Sequence, residues 1–550
     1  MRFLLVLVLA CSGAPSADDV GDASVDVLSL GLSAPGADPS VSTVVEGPAL
    51  AATSPARLTQ GLAAEQLAAH LASNRAWMWS ATLVPDVPEG PIELALPPQY
   101  GLAPSTRLAR VALFQSVAVD VARDGAALSA SAPIIADRAL RVRAYVEDGA
   151  GSLVLGRLRW ESAGTTTLFV GSMHVEGPSS DEDPESLFEF VVPKELVSAD
   201  ATFAVDILED EGESFANPSQ ARFPMDGELH RLAAEPRMHI DVRLVPMRYG
   251  FDGSMRIPAV GAEELSALRE HIEAVFPVSQ ASVTVLPARD YDAQIGPDDF
   301  DEHVDALHQV IAWRTSDAPP SAVYYVGVVA PAETFGEYCA EGCYAGVAPV
   351  NELNSPFQRA SVVVWYGASR SGWTALHELG HTQGRAHSPC GWVSGADPDY
   401  PHPRGVIGVW GFDSRVGAFL PPTRHDFMSY CGDEWVSDYT YAAMAERTRD
   451  LRSLPSIASA EVRRRDPSRR MITTGHRVRW SNIALPTGVV GEATKLLAID
   501  SRGRHRMVPA ERIEYSIDGT NSYVVRVDAD IRAFIVDGTR LTVPSTQPRF

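Results

Sequence analysis

Residues 377–387 read His-Glu-Leu-Gly-His-Thr-Gln-Gly-Arg-Ala-His, and no other stretch limits the fold of this chain so tightly. The first two histidines lie four apart, so on a helix both imidazoles project from one face and can meet at a single ion. The spacing therefore predicts a helix through His377 and His381. Glu378 comes about 100° further round, within reach of a water on the same ion. Gly384 lets the chain leave the helix in a conformation that a Cβ would resist, and that turn can bring His387 back as a third ligand. Three neutral imidazoles plus one open position make the tetrahedral arrangement of catalytic rather than structural zinc. One Zn2+ is the expected cofactor, bound by His377, His381 and His387.

The spacing HExxHxxGxxH resembles that of the metzincin clan of zinc metallopeptidases at all five defining positions. A second clan feature is a methionine turn beneath the metal, and this chain reads Asp-Phe-Met-Ser-Tyr-Cys at 426–431. The resemblance implies that Met428 forms that turn. It also implies that Tyr430, placed as in astacins and serralysins, approaches the metal. The implied reaction is peptide-bond hydrolysis. Glu378 would take a proton from the attacking water and deliver it to the departing amine, and Tyr430 would hydrogen-bond the oxyanion. Secreted bacterial metzincins with accessory β-domains are the nearest likeness, and Ser388 after the third histidine leaves the subfamily open.

Length and charge bound the rest. A chain of 550 residues exceeds one ordinary core, so two to four domains are expected. The net charge of −24 argues against nucleic acid or an anionic membrane surface as the main partner. At the N-terminus, Met1 and Arg2 precede the apolar run Phe3–Ala10 and then Cys11. This resembles a bacterial lipoprotein signal with Cys11 as the lipidation site; a secretory signal cut a few residues later is the alternative. Either implies export, to a cell surface or beyond it, with membrane contact only through a lipid anchor. Cleavage leaves Cys339, Cys343, Cys390 and Cys431. An even number in an exported protein predicts two disulfides in one of three connectivities. One of these, Cys390 with Cys431, would join the loop after His387 to the turn at Met428.

Along the chain, 1–11 reads as the signal and 12–58, poor in aromatics, as a flexible linker. Residues 60–80 carry a helix-like pattern through Leu62, Leu67, Leu71, Trp77 and Trp79. Short alternating runs such as Leu140–Val146 predict an immunoglobulin-like β-sandwich within 59–235. The acidic clusters Asp181–Glu185 and Glu209–Glu213 admit Ca2+ but fit no defined loop pattern. Strands and helices alternate over 236–453, where the resemblance implies a metzincin-like domain, with Ala345–Val350 as the edge strand that binds an extended peptide. Short strands return over 454–550, with a hairpin turn at Asp518-Gly519, and predict a small β-sandwich. The expected fold class is multidomain α+β: a metzincin-like catalytic domain, a twisted mixed sheet plus the active-site helix, flanked by N- and C-terminal β-sandwich domains.

These readings converge on a zinc metalloendopeptidase acting on extracellular protein or peptide, glycosylated protein included. The competing reading is a surface adhesin or glycan-binding lipoprotein whose metal site is vestigial. With no cysteine between Cys11 and Cys339, a cysteine switch from upstream is excluded once Cys11 is lipidated or removed. Substrate specificity and oligomeric state are not legible in these patterns.

Overall fold

The computed structural model describes residues 79–82, 100–149, 151–210, 218–350, 353, 355–453, 468–475, 477–481, 491–515 and 520–544. The signal with Cys11, the linker 12–58, the pattern from Leu62 to Trp77, the acidic run beyond Asp210 and the Asp518-Gly519 turn lie outside the described residues.

Alternation decides the N-terminal region. In the strand Leu140–Asp148, Leu140, Val142, Ala144 and Val146 are all buried, the period of two that lines one face of a sheet. This strand pairs antiparallel with Thr106–Phe114 and Leu187–Val192 in a five-stranded sheet. A seven-stranded sheet is built on Leu153–Ser162, Thr165–His174 and Thr202–Asp210. Trp160 and Phe203 stack at 5.6 Å in the core they share. The helix-like pattern of 60–80 does not reach 79–82. There the backbone is a strand, Trp79–Thr82, that satisfies the edge of Thr165–His174. Asp181 is held by Arg110 at 2.7 Å, by Arg143 at 3.5 Å and by the Tyr145 hydroxyl. Among the described residues no acidic cluster brings three carboxylates together as a Ca2+ site.

The central region is a mixed sheet ordered Gln280–Val285, His239–Tyr249, Val323–Val329, Ala360–Val364 and Gly346–Val347. The first four strands are parallel, and the last is antiparallel on the edge. Val323–Val329 and Ala360–Val364 are buried throughout, because helices cover both faces. Val242, Leu244, Val326 and Val363 share a core with the helices Ala262–Val275 and Ala368–Thr382. Tyr325, Val329, Val362 and Val364 share another with the helix Phe300–Asp317.

The C-terminal region is a seven-stranded antiparallel sheet, near-closed and barrel-like, around Ile472, Ala498, Val525 and Phe534. It is mounted on Phe300–Asp317. His308 Nε2 lies 2.8 Å from the Tyr515 hydroxyl, His308 Nδ1 lies 3.2 Å from Ser481 Oγ, and Arg479 pairs with Asp305 at 2.9 Å.

Strand makes up 41% and helix 20% of the structure, so the protein is mostly β. The expected α+β class, with a metzincin-like domain between two sandwiches, is corrected. Two physical reasons underlie the difference. The long helices are few and gathered around the central sheet, whose metal motif weighted the reading toward helix. Period-two alternation, in turn, shows that one face of a strand is buried but not what covers it. At the C-terminus the sheet curls on itself where a second sheet was expected.

Among the described residues no helix is long and apolar enough to cross a membrane. Among the described residues the cysteines form two disulfides, Cys339–Cys343 and Cys390–Cys431, which suit an oxidising extracellular compartment.

Candidate metal centre

The helix Ala368–Thr382 starts at Gly367, whose φ of 98° turns the chain out of the strand Ala360–Val364. It buries Ala375, Leu376 and Leu379 against the sheet. Its end is set by Gly384 at φ 81°. Gly384 N–H donates to His381 O at 2.8 Å and Arg385 N–H to Gly380 O at 3.0 Å, a glycine-closed helix end. The exit turn does more than stop the helix, because the Arg385 carbonyl accepts from His381 Nδ1 at 2.6 Å.

All three histidines are treated alike. His377 Nδ1–H donates to Phe427 O at 2.7 Å, and His387 Nδ1–H to Ser394 O at 2.7 Å. A carbonyl only accepts, so each ring carries its proton on Nδ1 and leaves a lone pair on Nε2. Those lone pairs converge. His377 Nε2 and His381 Nε2 are 3.0 Å apart, His387 Nε2 is buried without a hydrogen-bond partner, and ligand atoms of the three rings lie within 4.8 Å of one another.

Two lone pairs at that separation repel unless a proton or a cation lies between them. A proton is disfavoured: burial, aided by neighbouring imidazoles, holds His377 down to about 3 and His381 well below the usual histidine range. Burial likewise holds His387 down to about 4. Three neutral nitrogen donors, each oriented by a carbonyl behind it, fit a divalent cation of the zinc type.

Glu378 is buried against Gly346 on the edge strand, where a Cβ would lie 2.6 Å from Glu378 Oε1; Oε2 has no partner. Burial raises its carboxyl well above the usual range, a shift that a neighbouring dication would reverse. Met428 lies beneath the helix at Gly380, where a Cβ would meet its sulfur at 2.3 Å. A glycine inside a helix costs about 1 kcal/mol against alanine, and the methionine's approach is what demands it.

Asp426 locks the turn. Its Oδ1 accepts from Met428 N–H at 2.8 Å, and its Oδ2 accepts from the Ser437 N–H and hydroxyl at 3.0 and 2.5 Å. Tyr430 is 37% exposed, with its ring 4.8 Å from that of His387 and 5.6 Å from that of His377.

His377, Glu378, His381, Gly384, His387, Met428 and Tyr430 are thus gathered at one place, with Cys390–Cys431 tying the loop after His387 to the methionine turn. Cys339–Cys343 stands instead at the turn leading into Gly346. His425 lies within ligand distance of Cys390 and Cys431, but those sulfurs are committed to each other. The edge segment Ala345–Val350 is a strand only at Gly346–Val347. Beyond it, Val350 N–H donates to Glu514 O at 3.1 Å and Pro349 bridges to Tyr515, so the C-terminal sheet meets its second half.

Several contributors escape sequence reading. The carbonyls of Phe427, Arg385 and Ser394 have no side-chain signature. Gly380, set inside a helical motif, was the one readable sign of the close packing below it. The support also reaches far back in the chain. Phe427 N–H donates to Trp435 O at 2.7 Å, and Trp435 Nε1–H donates to Ser116 O at 2.8 Å. Phe412 N–H donates to the same Ser116 carbonyl at 2.9 Å, and Ala118 N–H to Trp410 O at 2.7 Å. The N-terminal sheet therefore props the segment that orients His377. Among known proteins, no family model matches this chain, and no curated protein is significantly similar to it.

Proposed function

We propose that the protein is a zinc-dependent endopeptidase that hydrolyses peptide bonds of extracellular proteins. The observation that carries this reading is the convergence of three buried Nε2 lone pairs beside a buried Glu378 with one unpartnered oxygen. Zinc, when bound, supplies a Lewis acid and brings the pKa of water close to neutrality.

The chain's own groups do the rest. His377, His381 and His387 hold the ion through Nε2, their tautomers fixed by the three carbonyls behind them. Glu378 takes a proton from the attacking water and returns it to the departing amine. The Tyr430 hydroxyl, on the exposed rim, donates a hydrogen bond to the developing oxyanion. Peptide is favoured as substrate by the likeness of the 377–387 and 426–431 motifs to those of metzincins. The reading rests on site chemistry and not on fold class.

The test is a proteome-cleavage assay comparing wild type with Glu378→Ala, new termini being identified by mass spectrometry and zinc measured in both proteins. Termini that appear only with wild type, at equal zinc content, are expected. Equal cleavage by Glu378→Ala would sink the assignment.

A further inference from the structure

The loop between His387 and Asp397 is fixed at both ends to the third histidine. His387 bridges to Ala396, Asp397 N–H donates to His387 O at 2.7 Å, and Ser394 O accepts from His387 Nδ1. Its middle is pinned as well. Cys390 is bonded to Cys431, and the Cys390 carbonyl accepts from Tyr430 N–H at 3.1 Å. Gly391, at φ 82°, lies on the Tyr430 backbone so closely that a Cβ would meet the Tyr430 carbonyl carbon at 2.6 Å.

On this rigid mount stands Trp392. It is 99% exposed and has a φ of 61°. A left-handed backbone is unfavourable for a residue with a Cβ, and an indole in water forgoes the burial that usually stabilises it. Among the described residues neither penalty is relieved by packing, while several bonds hold the loop in this form. A strained, over-determined residue beside a reactive centre is a mark of function.

We infer that Trp392 selects the substrate, taking a large apolar or aromatic side chain of an extended polypeptide close to the bond held at the three histidines. The inference rests on the proposed peptidase reading. Tyr430 connects the two places: its backbone supports Gly391 and its ring lies 4.8 Å from that of His387. Exposed Pro389 and half-buried Val393 flank Trp392 in the chain and add apolar character to this shelf. Of the flanking acids, Asp397 accepts from the Tyr439 hydroxyl at 3.0 Å and Asp433 pairs with Arg424. The shelf therefore attracts an apolar group more than a cation.

The experiment uses internally quenched peptides that differ at one position among Phe, Leu, Ala and Lys, the position being scanned through the three residues on each side of the cleaved bond. Wild type should favour Phe or Leu over Ala at one of these positions by about tenfold to a hundredfold in kcat/KM. Trp392→Ala should abolish that preference while zinc content and cleavage of the Ala peptide stay unchanged, and Trp392→Phe should keep most of it. A preference that survives in Trp392→Ala, or one for Lys that depends on Trp392, overturns the inference and leaves the peptidase standing.

Binding of the same peptides, labelled, to zinc-loaded Glu378→Ala with and without Trp392→Ala separates the two readings. Trp392-dependent tighter binding of the Phe peptide, with no cleavage by wild type, would sink the peptidase alone. Equal binding of Phe and Ala peptides with no cleavage would overturn both.

Discussion

Replacing Gly346 by alanine tests whether Glu378 acts from where it stands. The added Cβ would lie 2.6 Å from Glu378 Oε1, 2.8 Å from Cγ and 2.9 Å from Cδ, well inside the roughly 3.5 Å of ordinary contact. The strand cannot easily recoil. Gly346 and Val347 pair with Val363 and Val362, and Val364 N–H donates to Ala345 O at 2.8 Å. The carboxylate must therefore yield, by something near 1 Å.

A shift of that size in a group that must meet a reacting proton costs on the order of 100-fold in rate, about 2.7 kcal/mol of barrier. The histidines are oriented by Phe427, Arg385 and Ser394, none of them on the edge strand, so one zinc per chain should remain. The assay is steady-state cleavage of a quenched peptide alongside metal analysis. A kcat about 100-fold lower at nearly unchanged KM is expected. Wild-type turnover with a full complement of zinc would refute the placement of Glu378 as base. Loss of zinc together with activity would show that the strain passes to the histidines instead.

Removing the disulfide by Cys390→Ser with Cys431→Ser should lower stability by about 4 kcal/mol on the chain-entropy account, because it closes 41 positions of sequence; an unchanged denaturant midpoint would contradict this. His308 supplies a pH test away from the metal centre. Burial, aided by Arg479, holds its pKa down to about 3. The unfolded chain takes up that proton near pH 6.5, so the contribution is complete above pH 6.5 and is lost as pH falls toward 3, about 2 kcal/mol by pH 5. Urea unfolding at pH 7 and pH 5 should show a smaller drop in His308→Gln, whose amide can replace either ring nitrogen, and equal drops would refute the assignment.

The legible part of the site was the part written in side chains with a fixed spacing. His377, His381 and Gly384 act through local helix geometry, which eleven residues contain. Met428 and Tyr430 were recognisable only through a motif, since nothing local says that 426–431 returns beneath the helix. Gly346 was invisible because its role is to lack a Cβ where Glu378 needs room. The strand Val323–Val329 is buried at every position, so it offers no alternation to read. The C-terminal sheet shows the opposite limit. Leu496, Ala498, Val508 and Ala510 are buried in alternate positions, a pattern that a sandwich and a curled sheet produce equally well. Trp392, 99% exposed, could not be read from hydrophobicity, which alone assigns an indole to the interior.

The prop between Ser116 and Trp435 spans 319 positions, and this has a consequence in time. At about 5–20 residues per second, tens of seconds separate the synthesis of its two ends. Over that interval the Ser116 carbonyl lacks both its indole partner and the Phe412 N–H that it also receives. The Phe427 carbonyl that orients His377 lies 50 positions further on and is made only after the His377–His387 stretch. A nascent chain can therefore carry all three histidines before the carbonyl that orients one of them exists. The turn that orients His377 therefore settles late, against a sheet made near the start of the chain.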